Sequence, residues 1–206
     1  MFAAMQVNRN IFLVDDDASI RHSLSLYLDA SGYSVKAFPS AESFLEGMND
    51  AIEGVILLDQ KLARMTGLEL QDLFAKRGID LPIIFITGHG DVQMSVKAIK
   101  TGAIDFIEKP FKGEALLESI GEAFKQADIS KIRTELWKRC ISLTKREREV
   151  MEHVIAGKTS KKIAELLDIS KRTIEVHRLR VMEKMDADSL PDLVRKCDMC
   201  NVPARI

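Results

Sequence analysis

The chain has 206 residues, 46% of them hydrophobic, with 30 Lys and Arg against 31 Asp and Glu. That length allows one large domain or two modest ones, each with a real core, and the near-neutral total excludes any inference from net charge alone to a nucleic acid or a membrane surface. No run approaches the roughly 18 consecutive apolar residues of a membrane-spanning helix, and "MFAAMQVNRN" has no charged-then-apolar leader pattern, so a cytoplasmic protein with no membrane partner is expected. Three cysteines, Cys140, Cys197 and Cys200, form no even disulfide framework, which suits a reducing compartment. Cys197 and Cys200 make a single C-x-x-C near the end of the chain, which without a second pair reads as small residues at a helix end.

Charge is distributed unevenly. Residues 1–113 carry 11 basic and 15 acidic side chains, residues 114–139 carry 5 of each, and residues 140–206 carry 14 against 11. Within 158–184 the count is 8 basic to 4 acidic. An acidic front and a basic patch near the back predict two modules with different ligands.

The first half alternates short apolar runs with helical spacing. Ile11–Val14, Val35–Phe38, Val55–Leu58, Ile83–Ile86 and Phe106–Ile107 are rich in Ile, Val and Phe, and most are flanked by Gly, Pro or Asp, as buried parallel strands are. Between them, Leu24 with Leu28, and Leu70 with Leu73 and Phe74, recur at helical spacing. Five such units predict an α/β, open doubly wound parallel sheet; with strand order 2-1-3-4-5 the first and third strands are neighbours where the order reverses. From residue 114 the strand signal stops, and Leu116, Leu117, Ile120, Phe124, Ile129, Ile132 and Leu136 predict a final helix running on into a helical linker. Two helices broken near residues 127–130 are the alternative.

After Cys140 the pattern is helical. "TKRE" from Thr144 is a capping box with Glu147 reaching back to the cap, and Gly157 marks the end of that helix. A short helix follows over 159–167, then a three-residue turn, then a helix capped by Ser170 and running to Met185; "SLPD" caps a last one. Four short helices, two of them joined by a tight turn, predict a helix-turn-helix.

The strand ends carry the chemistry. Ligands of an open parallel sheet bind beyond the carboxyl ends of its strands, where strand order reverses. Asp15 and Asp16 follow the first strand and Asp59 follows the third, so three carboxylates are predicted to converge. Such a cluster needs a cation, and an all-oxygen set with room for water suits Mg²⁺. Thr87 follows the fourth strand and Lys109 the fifth. A metal, an ammonium and a hydroxyl around one Asp form an anion-stabilising pocket around a nucleophile able to form an aspartyl-phosphate. Asp17 is left with the turn into the first helix, whose dipole favours negative charge there.

In a helix-turn-helix the second helix enters the major groove. At about 100° per residue, Ile174, Val181 and Met185 lie on one core-facing line. The opposite face presents Arg172, Thr173, Glu175, Val176, Leu179, Arg180 and Glu183. Val176 and Leu179 are expected to meet thymine methyls and Glu175 or Arg180 to read base edges. Lys161, Lys162, Lys171, Arg172 and Lys184 are expected to contact phosphates. His177 reads as a packed histidine.

With "VDDD", "LLDQ", "ITGHGD", "DFIEKPF" and "RTIEVHR" in view, residues 9–125 closely resemble the receiver domain of bacterial two-component response regulators, a flavodoxin-like (CheY-like) fold. Residues 140–200 resemble the LuxR/NarL-type helix-turn-helix, with 126–139 as a helical linker, so that the whole is similar to FixJ-like regulators. The resemblance implies that Asp59 is the phosphoacceptor and that Asp15, Asp16 and Asp59, with the backbone carbonyl of Lys61, hold Mg²⁺. It also implies that Thr87 and Lys109 bind the phosphoryl group, that Phe106 is the aromatic that reports it, and that the bond to Pro110 is cis. The implied partners are a sensor histidine kinase, promoter DNA, RNA polymerase and, when phosphorylated, a second copy of the chain. Ala63 departs from the family pattern, which has proline there, so the loop after Asp59 is expected to be less stiff. His89, two residues beyond Thr87, reads as a loop residue tuning hydrolysis.

Two other readings compete. An enzyme of this fold lacks support: there is no P-loop, no G-x-G-x-x-G, and no second acid two residues after Asp59, where Lys61 stands. A receiver whose helical tail docks a protein rather than DNA remains the alternative, because Val176 and Leu179 would also suit a protein-binding patch.

Overall fold

Alternation within the apolar runs decides the architecture. Of the first strand, β1 (Asn10–Val14), Phe12 and Val14 pack into one core while Ile11 and Leu13 pack into another; strand geometry sends successive side chains to opposite faces. The computed structural model describes residues 9–48, 52–88 and 92–200 and divides the chain into two compact units, residues 1–128 and 129–206.

In the first unit, β1, β2 (Ser34–Phe38), β3 (Val55–Asp59), β4 (Ile83–Thr87) and β5 (Asp105–Glu108) form one parallel sheet in the order β2-β1-β3-β4-β5. The register pairs Val14 with Leu58, and Asp59 with Ile86. Strands β3 and β4 are buried along their whole length, which explains why they read as continuous apolar runs rather than as alternation. One sheet face is covered by α2 (Ala41–Gly47), α3 (Gly67–Arg77) and α4 (Val92–Lys100) through Phe44, Leu70, Phe74 and Ala98. The other is covered by α1 (Ala18–Ala30) and the first part of α5 (Gly113–Ile141) through Leu24, Leu28, Leu116 and Ile120.

The α3–α4 layer is fastened by one buried amide. Gln71 Nε2 donates to the Ala98 carbonyl at 3.1 Å, and the Thr101 hydroxyl donates to Gln71 Oε1 at 2.9 Å. Asp17 caps α1, its carboxylate accepting from the Ser19 amide at 2.7 Å, so the third aspartate of "VDDD" does serve the helix start.

Helix α5 is continuous, without the break near residues 127–130 that was the alternative reading. In the second unit follow α6 (Lys145–Ile155), α7 (Ser160–Leu167), α8 (Lys171–Met185) and α9 (Leu190–Met199). Thr144, Thr159, Ser170 and Ser189 are their N-caps. Val150, Val154, Ile163, Ile174, Val181, Met185 and Leu193 form the core, together with Cys140 and Cys197. Gly157 (φ 74°) and Asp168 (φ 50°) turn the chain out of α6 and α7 in the left-handed region.

Candidate functional site

The carboxyl ends of β1, β3 and β5 bring together Asp15, Asp59 and Lys109. The Lys109 ammonium donates to Asp15 Oδ2 at 2.8 Å and to Asp59 Oδ1 at 3.1 Å, so one cation spans two acids from different strands. Both acids are buried, Asp15 with 2% and Asp59 with 7% of their surface exposed. The remaining carboxylate oxygens are held by local backbone. Asp15 Oδ1 accepts from the Asp17 amide at 2.8 Å, and Asp59 Oδ2 from the Lys61 amide at 2.7 Å.

Electrostatics follow from this burial. Loss of water pushes the Asp59 carboxyl above its ordinary value, and the hydrogen bond from Lys109 only partly opposes that. Burial likewise pulls the Lys109 ammonium down, but its hydrogen bonds to Asp15 and Asp59 outweigh it and leave its pKa above the ordinary lysine value. Lys109 is therefore a fixed positive charge facing a carboxylate poorly solvated by water, an arrangement that stabilises incoming negative charge.

The remaining residues of the set occupy different places. Asp16 is exposed next to Asp15. Thr87 is buried at the end of β4, and its carbonyl accepts from the Lys109 amide at 2.7 Å. The Lys109–Pro110 bond is cis. Phe106 is half-buried against the core, its ring 6.0 Å from that of Phe85. His89 lies outside the described residues.

The donor set fits a hard divalent cation. Acidic side chains outnumber Lys109 at this edge, and every donor is oxygen, as such a cation requires. Among the described residues no three acid, imidazole or thiol groups already stand in a metal-binding cluster. Asp15 and Asp59 both accept from Lys109, and Asp16 is the exposed member.

Two contributors are not evident from the motifs. Arg21, in the first turns of α1, donates from its guanidinium to the Asp15 carbonyl at 2.7 Å and fixes the backbone that carries the acid pair. Gly67, the first residue of α3, lies so close to the site that a Cβ there would stand 2.8 Å from the Asp59 carbonyl oxygen and 2.7 Å from the Phe85 ring. Gly67 directly follows Thr66, whose hydroxyl caps α3 by accepting from the Glu69 amide; Arg21 leaves no local signal.

In the second unit, Lys161, Lys162, Lys171, Arg172, Thr173, Glu175, Val176, Leu179 and Arg180 are all exposed on α7 and α8. Val176 is 43% and Leu179 61% exposed, an uncovered aliphatic pair amid polar neighbours. Lys184 does not join that surface set. It is half-buried, and its ammonium donates to Glu147 Oε2 at 2.7 Å and to the Ser142 carbonyl at 3.3 Å, tying α8 to the start of α6. The residue expected at a phosphate is thus also an ion-pair partner of the buried Glu147 carboxylate. His177 is half-buried, with Nδ1 enclosed and without a hydrogen-bond partner among the described residues.

Residues 11–121 match the response regulator receiver domain, and residues 141–197 match the bacterial regulatory proteins of the LuxR family. The chain is 41% identical over 195 residues to the transcriptional regulatory protein FixJ of Bradyrhizobium diazoefficiens, covering 93% of this chain and 95% of that protein. FixJ of Rhizobium meliloti is 44% identical over 190 residues, covering 90% and 93%. A solved structure of the response regulator StyR superposes with a TM-score of 0.72 at 36% identity, over 93% of this chain and 99% of that one. These matches do not favour the reading of the helical unit as a protein-docking module. The chain belongs to the FixJ-like response regulators, which join a receiver domain to a LuxR-family DNA-binding domain.

Proposed function

We propose that Asp59 accepts a phosphoryl group from a sensor histidine kinase, and that the modified receiver governs dimerisation, promoter binding and transcription through α8. The observation that supports this best is the Lys109 ammonium spanning Asp15 and Asp59, a preset counter-charge beside one buried nucleophile. Mg²⁺ would be held by Asp15, Asp16, Asp59 and the Lys61 carbonyl, with the exposed Asp16 turning in to complete the set. When bound, the cation supplies positive charge that offsets the phosphoryl oxygens.

In the transfer, an Asp59 carboxylate oxygen attacks phosphorus and a P–O bond forms. The bond from phosphorus to the donor atom breaks, and the leaving group departs with its electron pair and takes up a proton. Lys109 passes from the Asp59 oxygen to a phosphoryl oxygen, and the Thr87 hydroxyl donates to another. Phe106 follows Thr87 inward, and the α4–β5 face becomes the contact for a second copy. The chain's chemistry in signalling is gaining and losing its own phosphoryl group. Residues 9–125 act as the receiver, 126–139 as the linker and 140–200 as the DNA-binding domain, with RNA polymerase as the eventual partner at the promoter and the cytoplasm as the place of action.

The test is labelling by acetyl phosphate with Mg²⁺, followed by intact mass. Wild type gains one phosphoryl group and Asp59→Asn gains none; labelling of the variant at the wild-type rate overturns the assignment.

A further inference from the structure

Cys197 and Cys200, read from the sequence as small residues at a helix end, face different partners. Cys200 Sγ lies 3.6 Å from Cys140 Sγ, a residue 60 positions earlier, while the Cys197 thiol is buried and faces Met151 Sδ at 3.7 Å. We propose that Cys140 and Cys200 form a hydroperoxide-dependent disulfide that fastens the first element of the DNA-binding unit to its last.

Position and accessibility assign the two roles. Cys200 is half-buried at the end of α9 and is the thiol an oxidant reaches; Cys140 and Cys197 are buried. Burial pushes the Cys140 thiol up to about 12 and the Cys197 thiol up to about 11, which leaves the half-buried Cys200 as the thiol that meets the oxidant first. Reaction between the two is directed by their 3.6 Å separation.

The chemistry balances in two steps. The Cys200 sulfur attacks a peroxide oxygen, an S–O bond forms, the O–O bond breaks, and the departing oxygen leaves as water after taking up a proton. The Cys140 sulfur then attacks the sulfenic sulfur; the S–S bond forms, the S–O bond breaks, and hydroxide leaves as water with the Cys140 proton. Two thiols are oxidised and one hydrogen peroxide is reduced to water. Cys140 Sγ also lies 3.8 Å from Met185 Sδ at the end of α8, so the cross-link braces the base of that helix. Closing a loop of this length removes freedom from the unfolded chain and raises the melting midpoint.

The experiment treats the full-length, fully reduced chain with hydrogen peroxide, alkylates the remaining thiols, digests it and reads the peptides by mass. The expected result is a peptide pair joined through Cys140 and Cys200, with Cys197 alone alkylated. The melting midpoint of the second unit shifts upward and returns with dithiothreitol. Cys200→Ser, at the half-buried site, loses both the link and the shift, and Cys197→Ser keeps both. Three alkylated thiols, a Cys197–Cys200 link, a disulfide only between two chains, or Cys200 ending as sulfinic acid without a link would each overturn the proposal.

Discussion

Lys184 donates to Glu147 at 2.7 Å, and Glu147, with 2% of its surface exposed, also accepts from the Thr144 amide at 2.9 Å. One carboxylate thus closes the capping box of α6 and anchors the far end of α8. Removing the lysine would leave that carboxylate short of a partner in a buried place. Lys184→Met is expected to cost the second unit about 1–3 kcal/mol in urea unfolding. The salt dependence of DNA binding should stay at the wild-type slope, since Lys184 spends its charge inside the domain.

The same pair makes the second unit acid-labile. The hydrogen bond from Lys184, followed by that from the Thr144 amide, lowers the Glu147 carboxyl from 4.5 to about 2. A folded pKa below the unfolded value gives stability that is fully present above about 4.5 and is lost as pH falls toward about 2. Melting midpoints recorded across that window should fall for wild type and fall less for Glu147→Gln.

Exposed cations on α7 and α8 should behave in the opposite way. Lys171→Ala and Arg172→Ala, each tested in the phosphorylated full-length chain on promoter fragments, are expected to weaken binding and to flatten the plot of log affinity against log salt by about 1 each. Neither should move the melting midpoint. A wild-type chain with no salt dependence would remove the DNA-binding role of this face.

At the receiver pocket, burial holds the Asp59 carboxyl above its ordinary value. The folded state therefore binds that proton more tightly than the unfolded chain, and the ionised form at neutral pH costs stability. Asp59→Asn is expected to raise the melting midpoint of the first unit at pH 7 while abolishing labelling by acetyl phosphate.

Gly67→Ala tests how closely α3 is fitted to the site. The added methyl would overlap the Asp59 carbonyl oxygen and the Phe85 ring, and backbone on one side leaves little room to yield. A loss of about 1–3 kcal/mol is expected, with slower phosphorylation because the strain falls on the residue that carries the carboxylate.

Much of the fold is legible in the chain because its signals are local. The strand runs, the caps at Thr144, Ser170 and Ser189 and the turn at residues 168–170 each depend on residues a few positions apart. The juxtaposition of Asp15, Asp59 and Lys109 is also legible, although 94 residues separate Lys109 from Asp15. The rule that parallel strands present their carboxyl ends together carries local positions to one edge. That rule places residues at strand ends but does not orient them, which is why Asp16 could be counted among the acids without its exposure being foreseen.

What the sequence determined by itself was the element order, the sheet edge where the acids gather and the polar, aliphatic-studded face of α8, because periodicity and turn chemistry act over a few residues. Only the tertiary structure decided that Lys184 belongs to Glu147, 37 residues away, that Cys200 faces Cys140 rather than Cys197, and that Arg21 supports Asp15. Those pairings depend on which helix faces pack together and how deeply each charge or thiol is buried, and burial is a property of the packed whole that no stretch of chain carries alone.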